Sequence, residues 1–307
     1  VADAIRAFKP RFVVIAARGT SDHAALYAKY LVEVVHQLPA GLASPSTMTL
    51  YGARPDMRDV LFIAISQSGR SPDLVESTEV ARARGACTVA VTNNLASPLA
   101  AAAAHAVDVH AGAEQAVAAT KSYTAQLMAL ALMLGGSSAS KAELLPEAAT
   151  ATLAANPSDR VAALAARLRY VDRLVLTARG YSYPTAREAA LKLMETSYLA
   201  AQAFSGADFL HGPLAIVDSS VPAVAIASGG HSAAATRQIV SRLEAAGAEV
   251  ITVGAAGELA LAGPALGEEL SPIVEILPLQ RLALELALLR GHDPDTPRGL
   301  MKITETR

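Results

Sequence analysis

Three segments of this chain return, in the same order, about 161 residues further on. Phe12-Val-Val-Ile-Ala-Ala-Arg18-Gly19-Thr20-Ser21 is matched by Leu174-Val-Leu-Thr-Ala-Arg179-Gly180-Tyr181-Ser182. Leu61-Phe-Ile-Ala-Ile-Ser66 is matched by Val224-Ala-Ile-Ala-Ser228, and Gly85-Ala-Cys-Thr-Val-Ala-Val by Gly247-Ala-Glu-Val-Ile-Thr-Val. One offset kept through three ordered matches implies a duplicated domain. In each copy an apolar strand (11–16, 173–178) runs into Arg-Gly and a helix. A second strand (60–65, 222–227) runs into a Ser/Gly loop and a helix, and a third (86–91, 248–253) follows. Unbroken apolar strands alternating with helices predict an α/β chain whose parallel sheets are covered on both faces. The expectation is two tandem doubly wound domains, 1–150 and 151–307. Gly135-Gly136-Ser137-Ser138 closes the first copy, and an Ala-rich helical stretch with Pro146 and Pro157 leads into the second.

A chain of 307 residues, 52% apolar and 18% charged, can build both cores and leaves little for disordered tails. A formal net charge of −2 with no Lys/Arg block argues against a nucleic-acid partner, while a local site for a small anion stays open. Cys87 is the single cysteine, so neither an intrachain disulfide nor a thiolate metal site is available; in Ala86-Cys87-Thr-Val-Ala-Val it has the setting of an inert strand thiol. The seven histidines lack paired metal-ligand spacing, and neither a Walker A nor a dinucleotide glycine motif occurs, so no cofactor is expected. No apolar run approaches a membrane span and no signal-peptide pattern is seen, which predicts a cytoplasmic protein with no membrane contact. The sequence opens at Val1 rather than Met, which leaves room for a short upstream segment.

Ser66-Gln67-Ser68-Gly69-Arg70-Ser71-Pro72 follows a buried strand and precedes a helix expected from Asp73 to Arg84. Ligands of doubly wound sheets sit beyond the carboxyl ends of the strands, and a helix N-terminus offers free N–H groups to a phosphate. Ser66, Ser68 and Ser71 add hydroxyls and Gln67 an amide; Thr20 and Ser21, after the neighbouring strand, add two more hydroxyls. A Ser-rich turn that merely caps a helix is the plainer alternative. The corresponding loop of the second copy, Ser228-Gly229-Gly230-His231-Ser232, has fewer donors. The first copy is therefore expected to hold an anion and the second the reacting carbons.

Tyr183 to His211 carries the other candidate residues. Pro184 suits the first turn of a helix, where a missing N–H costs nothing. Glu188, Lys192 and Glu195 fall at i, i+4 and i+7, on one helix face. Leu191, Leu193, Met194, Tyr198 and Leu199 make most of the rest apolar, so this charged stripe must be paired or line a pocket.

These motifs resemble the sugar isomerase (SIS) family in its tandem form. The resemblance runs through Arg18-Gly19-Thr20-Ser21-Asp22, Ser66-Gln67-Ser68-Gly69, Glu114 with Val117-Ala-Ala-Thr120-Lys121-Ser122, Glu188 to Glu195, His211-Gly212-Pro213, and Asp293-Pro-Asp-Thr-Pro297-Arg298 up to Lys302. It covers almost the whole chain and implies two SIS domains of flavodoxin-like fold. The family includes the isomerase half of glucosamine-6-phosphate synthase, glucosamine-6-phosphate deaminases and aldose–ketose isomerases. The resemblance implies that Ser66, Gln67, Ser68, Ser71, Thr20 and Ser21 bind a sugar phosphate. Glu195 would move a proton between C1 and C2. His211, contributed by a partner subunit, would assist ring opening. Lys302 would reach the carbonyl end of the open sugar, and Glu188 and Lys192 would orient it. A homodimer with a shared active site is implied, with a phosphorylated amino sugar or ketose as substrate.

Arg18 stands where a synthase has Cys, Arg70 where it has Glu, and Ala119 where it has Ser. No glutamine-hydrolysing domain is present in this sequence. These departures favour an enzyme converting glucosamine 6-phosphate to fructose 6-phosphate and ammonia. The alternatives are an isomerase half of an aminotransferase-like enzyme and a non-catalytic sugar-phosphate sensor. The expected chemistry passes through an enediol or enolamine, with one carboxylate as base and with an ammonium and hydrogen bonds in place of a metal. Burial would raise the pKa of Glu195 and Lys192 would lower it.

Overall fold

The strand Val60–Ser66 is buried along its whole length, and around such strands the chain builds its two sheets. The computed structural model describes residues 1–135 and 141–302. The junction Gly136-Ser137-Ser138 lies outside them. Among the described residues, 1–115, 119–135 and 300–302 form one compact unit, and 116–118 with 141–299 the other.

The first unit begins with α1 (Ala2–Phe8), β1 (Phe12–Ala17), α2 (Thr20–Val35), β2 (Ala40–Leu42) and α3 (Pro45–Thr49). It continues with β3 (Val60–Ser66), α4 (Pro72–Ala83), β4 (Cys87–Thr92), α5 (Pro98–Ala102), β5 (His105–Asp108) and α6 (Lys121–Leu134). Its five strands are all parallel, in the order β2-β1-β3-β4-β5. Leu61, Phe62, Ile63 and Ile65 of β3 are at most 1% exposed. Burying each such side chain contributes about 1.5–3 kcal/mol. Cys87 is a free, buried thiol in β4.

The second unit contains α7 (Leu145–Ala155), α8 (Ser158–Arg167), β6 (Arg173–Ala178), a short 3-10 turn (Gly180–Ser182), α9 (Tyr183–Ser197), β7 (Ala200–Ser205) and α10 (Gly206–Leu210). After these come β8 (Ala223–Ile226), α11 (Ala233–Ala245), β9 (Val250–Gly254), β10 (Leu259–Ala260) and α12 (Ser271–Leu289). Its sheet is parallel throughout, in the order β10-β9-β8-β6-β7. Counted from the first strand of each copy, both orders are 2-1-3-4-5, so the repeat in sequence is a repeat of topology. Residues 141–150 group with the second unit, because α7 packs on α12 there.

In each sheet the strand order reverses between the first and third strands. The loops after those strands open a crevice at the carboxyl edge, the usual ligand position in open α/β sheets. In the first unit these are the Arg18–Ser21 and Ser66–Ser71 loops; in the second they are Arg179–Ser182 and Ser228–Ser232.

Candidate active site

In the first unit, both loops at the reversal point are fixed. Arg18 Nε donates to Asp73 Oδ2 at 2.8 Å, tying the turn after β1 to the first turn of α4. Asp73 is buried and Arg18 half exposed, so the carboxylate rather than the guanidinium is the fixed anchor. The turn after β1 is thus closed onto α4 by a loop-to-loop ion pair. Ser66 is buried, and its Oγ accepts from Gly69 N–H at 3.2 Å; Ser68 Oγ accepts from Arg70 N–H at 3.3 Å. Gly69 has φ +63°, and a Cβ there would lie 2.1 Å from Ser97 Oγ, so the tight turn requires glycine. Ser71 is the N-cap of α4, followed by Pro72. Gln67, Ser68 and Ser71 are half-buried, and Arg70 is exposed.

Thr20 opens α2. Ser21 is buried, and its Oγ accepts from Gln126 Nε2 of α6 at 3.0 Å. Glu114 Oε2 accepts from the N–H groups of Thr120 and Ser122, capping the start of α6. The loop hydroxyls and the start of α4 therefore meet at one edge of the sheet, an arrangement of O–H donors, N–H donors and a helix N-terminus that suits an anion.

In the second unit, the stripe on α9 is buried. Lys192 Nζ lies 2.5 Å from Glu195 Oε2 and 3.4 Å from Glu188 Oε1. Glu188 and Lys192 are buried, whereas the Glu195 side chain keeps 19% of its exposure. One ammonium thus sits between a sequestered carboxylate and one that solvent can reach. Burial works against the Lys192 charge, but Glu188 and Glu195 outweigh it and raise its pKa, so it stays an ammonium. Tyr198 ends the helix in the left-handed conformation. Its hydroxyl accepts from Arg298 N–H at 2.8 Å, and the Arg298 guanidinium stacks on its ring at 4.1 Å. This contact holds the Asp293–Arg298 motif against the end of α9. Lys302, four residues on, is half-buried and groups with the first unit.

His211 follows α10, with its backbone N–H on Asp208 O, and is exposed. Among the described residues no hydrogen bond or ion pair joins it to Glu195. The structure brings together Glu188, Lys192 and Glu195, and separately Ser66, Ser68 and Ser71 beside Thr20 and Ser21; it does not add His211 to the first group.

Two carboxylates were missed in the sequence. Glu268, just before α12, fills the second unit's loop. Its Oε2 accepts from His231 N–H at 2.9 Å, and its Oε1 from Ser232 Oγ at 2.8 Å and Ser232 N–H at 3.2 Å. Burial acts to raise the Glu268 pKa, but the bonds from His231 and Ser232 outweigh it and hold the value low. The loop that corresponds to the anion loop of the first unit thus already contains an anion.

Glu275 of α12 is fully buried, and Ser182 Oγ and Thr185 Oγ1 donate to its two oxygens at 2.9 and 3.2 Å. Burial pushes its carboxyl up to about 7, against the opposing pull of the Ser228, Ser182 and Thr185 hydroxyls. Ser228 Oγ acts on the carboxyl without making a hydrogen bond of ordinary geometry. A lone charge in the apolar run Pro272-Ile-Val-Glu275-Ile-Leu was the available signal. Among the described residues no cluster of three metal-ligating side chains occurs, and no helix is long and apolar enough to cross a membrane.

With this geometry in view, the comparisons with known proteins are specific. The SIS domain family matches residues 8–135 and 167–288, and the chain belongs to that family. It is similar to the glutamine–fructose-6-phosphate aminotransferase (isomerizing) of Pyrococcus horikoshii, 36% identical over 94% of this chain and 51% of that protein. The chain spans about half the length of the curated relatives it matches. A protein of Silicibacter pomeroyi DSS-3 assigned as a phosphosugar isomerase is 35% identical, with a TM-score of 0.81 over 96% of this chain and 91% of that one. The glucosamine-6-phosphate deaminase of Thermotoga maritima shares the fold, with a TM-score of 0.81 at 22% identity over 99% of this chain and 93% of that one.

Proposed function

We propose that this chain is a phosphosugar isomerase-type enzyme that converts glucosamine 6-phosphate and water to fructose 6-phosphate and ammonia. The observation that carries this reading is the buried ammonium of Lys192 held between Glu188 and the partly open Glu195. The sugar phosphate binds at Ser66, Gln67, Ser68 and Ser71 with Thr20 and Ser21. His211, brought by a partner subunit of a homodimer, assists ring opening. Glu195 takes the proton from C2 of the open-chain sugar, giving an enolamine, and returns it to C1. Lys192 remains charged throughout and steadies the oxyanion that develops beside Glu195. The product of proton return is the 2-imine, which water hydrolyses to the ketone with loss of ammonia. Lys302 and Glu188 orient the open chain. A cytoplasmic location fits the soluble chemistry of such a substrate.

A second reading is isomerisation alone, as in one half of an aminotransferase-like enzyme. The similarity to the half-length matches favours it. The test is incubation of the purified chain with glucosamine 6-phosphate and no glutamine. Equimolar ammonia and fructose 6-phosphate support the deaminase. Deuterium entering C1 of fructose 6-phosphate from heavy water, without ammonia release, supports the second reading. Neither result, with a sugar phosphate still bound, would leave a sensor.

A further inference from the structure

Helix α12 runs alongside α9, and hydrogen bonds join the two at both ends. At the start of α9, Ser182 and Thr185 donate to Glu275. At its end, Arg290 Nη1 donates to Ser197 O at 2.9 Å, and Ser197 Oγ lies 3.5 Å from Ala283 O. The residues of α12 that meet the start and the end of α9 follow one another in the same order, so the two helices run in the same direction. The carboxyl stands at the positive end of α9 and the guanidinium at its negative end, the arrangement that a helix dipole favours.

A carboxyl in this position carries a cost. Glu275 is 0% exposed on a helix whose neighbouring residues Ile273, Val274, Ile276 and Leu279 are buried, and a leucine would fit the same face without desolvating a polar group. What the carboxyl adds is two-point attachment. One oxygen takes the N-cap residue of α9 and the other a residue three positions further on. Two such points fix both the rotation of a helix and its position along its axis.

The first unit repeats the device with different chemistry. There Gln126, from the last helix of that copy, pins Ser21. Ser21 and Ser182 are separated by the repeat offset of 161 residues. Each copy therefore uses its last helix to hold the hydroxyl that follows its first strand.

We propose that Glu275 is a positioning residue for the reaction: by holding Ser182 and Thr185 it sets the register of α9, and with it the placement of Glu188, Lys192 and Glu195. The inference rests on the reading of Glu195 as the base. A helix rises 1.5 Å per residue, so Thr185 stands about 15 Å along α9 from Glu195. A small turn or slide at the start of the helix reaches the reacting carboxylate undamped by any loop, and a 1 Å misplacement costs on the order of 100-fold in rate.

The test uses the full chain and compares Glu275→Leu, which fills the space without polar atoms, with Glu275→Gln, which keeps an acceptor for one hydroxyl. Turnover of glucosamine 6-phosphate should fall about 10- to 100-fold in Glu275→Leu, with KM within about threefold of wild type; Glu275→Gln should recover most of kcat. Amide hydrogen exchange over residues 182–195 should quicken in Glu275→Leu and not in Glu275→Gln. Wild-type kcat in Glu275→Leu, or unchanged exchange in that segment, would overturn the inference. Activity retained in Glu195→Gln would instead overturn the assignment of the base, and the exchange result would still decide whether Glu275 holds the helix.

Discussion

Lys192 Nζ sits 2.5 Å from Glu195 Oε2 and 3.4 Å from Glu188 Oε1, yet only Glu195 of the three keeps a solvent-accessible side chain. This asymmetry gives the two carboxylates different work. Glu188, fully sequestered, holds the ammonium in place, and Glu195, on the function proposed above, meets the substrate. Removing one member of a buried ion pair strands the other, at about 3–5 kcal/mol. Lys192→Met should therefore lower unfolding free energy by about that amount in denaturant titration and abolish turnover. Adding Glu188→Gln to Lys192→Met should restore much of the stability and none of the turnover. Equal stability of the single and double variants would contradict this division.

The Gly69 turn makes a second prediction. At φ +63°, with Ser97 Oγ 2.1 Å from the place a Cβ would take, Gly69→Ala must move the loop. Backbone strain of this kind costs about 1–3 kcal/mol. Calorimetric titration with fructose 6-phosphate should show weakened binding, whereas Gly52→Ala, also at positive φ but with open space around it, should bind as wild type.

Arg18 and Asp73 predict a split in the kinetic constants. Arg18→Ala frees the turn after β1 from α4 and leaves the buried Asp73 without its ion-pair partner. If these loops hold the phosphate, KM should rise several-fold while kcat changes little. A fall in kcat at constant KM would place the loops elsewhere in the mechanism.

Glu268 and Glu275 should give stability opposite dependences on pH. Glu268 has a folded pKa below its ordinary 4.5, so its contribution is complete above that value and is lost as pH falls through the folded pKa. Glu268→Gln should be less stable than wild type at neutral pH, with the gap closing in acid. Glu275 has a folded pKa of about 7, raised by burial and, to a smaller degree, by the nearby Glu268 charge. The folded state then holds a proton that the unfolded chain releases, so stability declines from pH 4.5 towards 7 and levels off above. Glu275→Gln should remove that decline, worth up to about 3 kcal/mol by pH 8. Parallel unfolding curves for wild type and Glu275→Gln across this range would refute the assignment.

The fold was legible because duplication and buried strands leave marks that do not depend on context. β1, β3, β4, β6 and β9 are apolar runs followed by turn residues, and α9 carries Pro184 at its start and Glu188, Lys192 and Glu195 on one face. β7 was not legible. Ala200–Ser205 is poor in β-branched residues, and its strand geometry comes from pairing with β6 rather than from its own preference. In the site, the spacing of Glu188, Lys192 and Glu195 announced their shared face. Glu268 and Glu275 were hidden for a different reason: their partners lie 36 to 93 residues away in sequence, and only the packed fold brings them together. The second Ser/Gly loop looked merely poorer in donors, whereas the structure shows its donors engaged by Glu268.

The step on which the proposed function rests is proton transfer by Glu195 between C2 and C1 of a phosphorylated amino sugar. Its most direct test is the release of ammonia and fructose 6-phosphate from glucosamine 6-phosphate by wild type and Glu195→Gln, without glutamine and with deuterium incorporation followed in heavy water. Wild type should give equimolar products with deuterium at C1, and both should be lost in a Glu195→Gln variant that still binds the sugar phosphate. Undiminished product formation or deuterium incorporation by Glu195→Gln would contradict it.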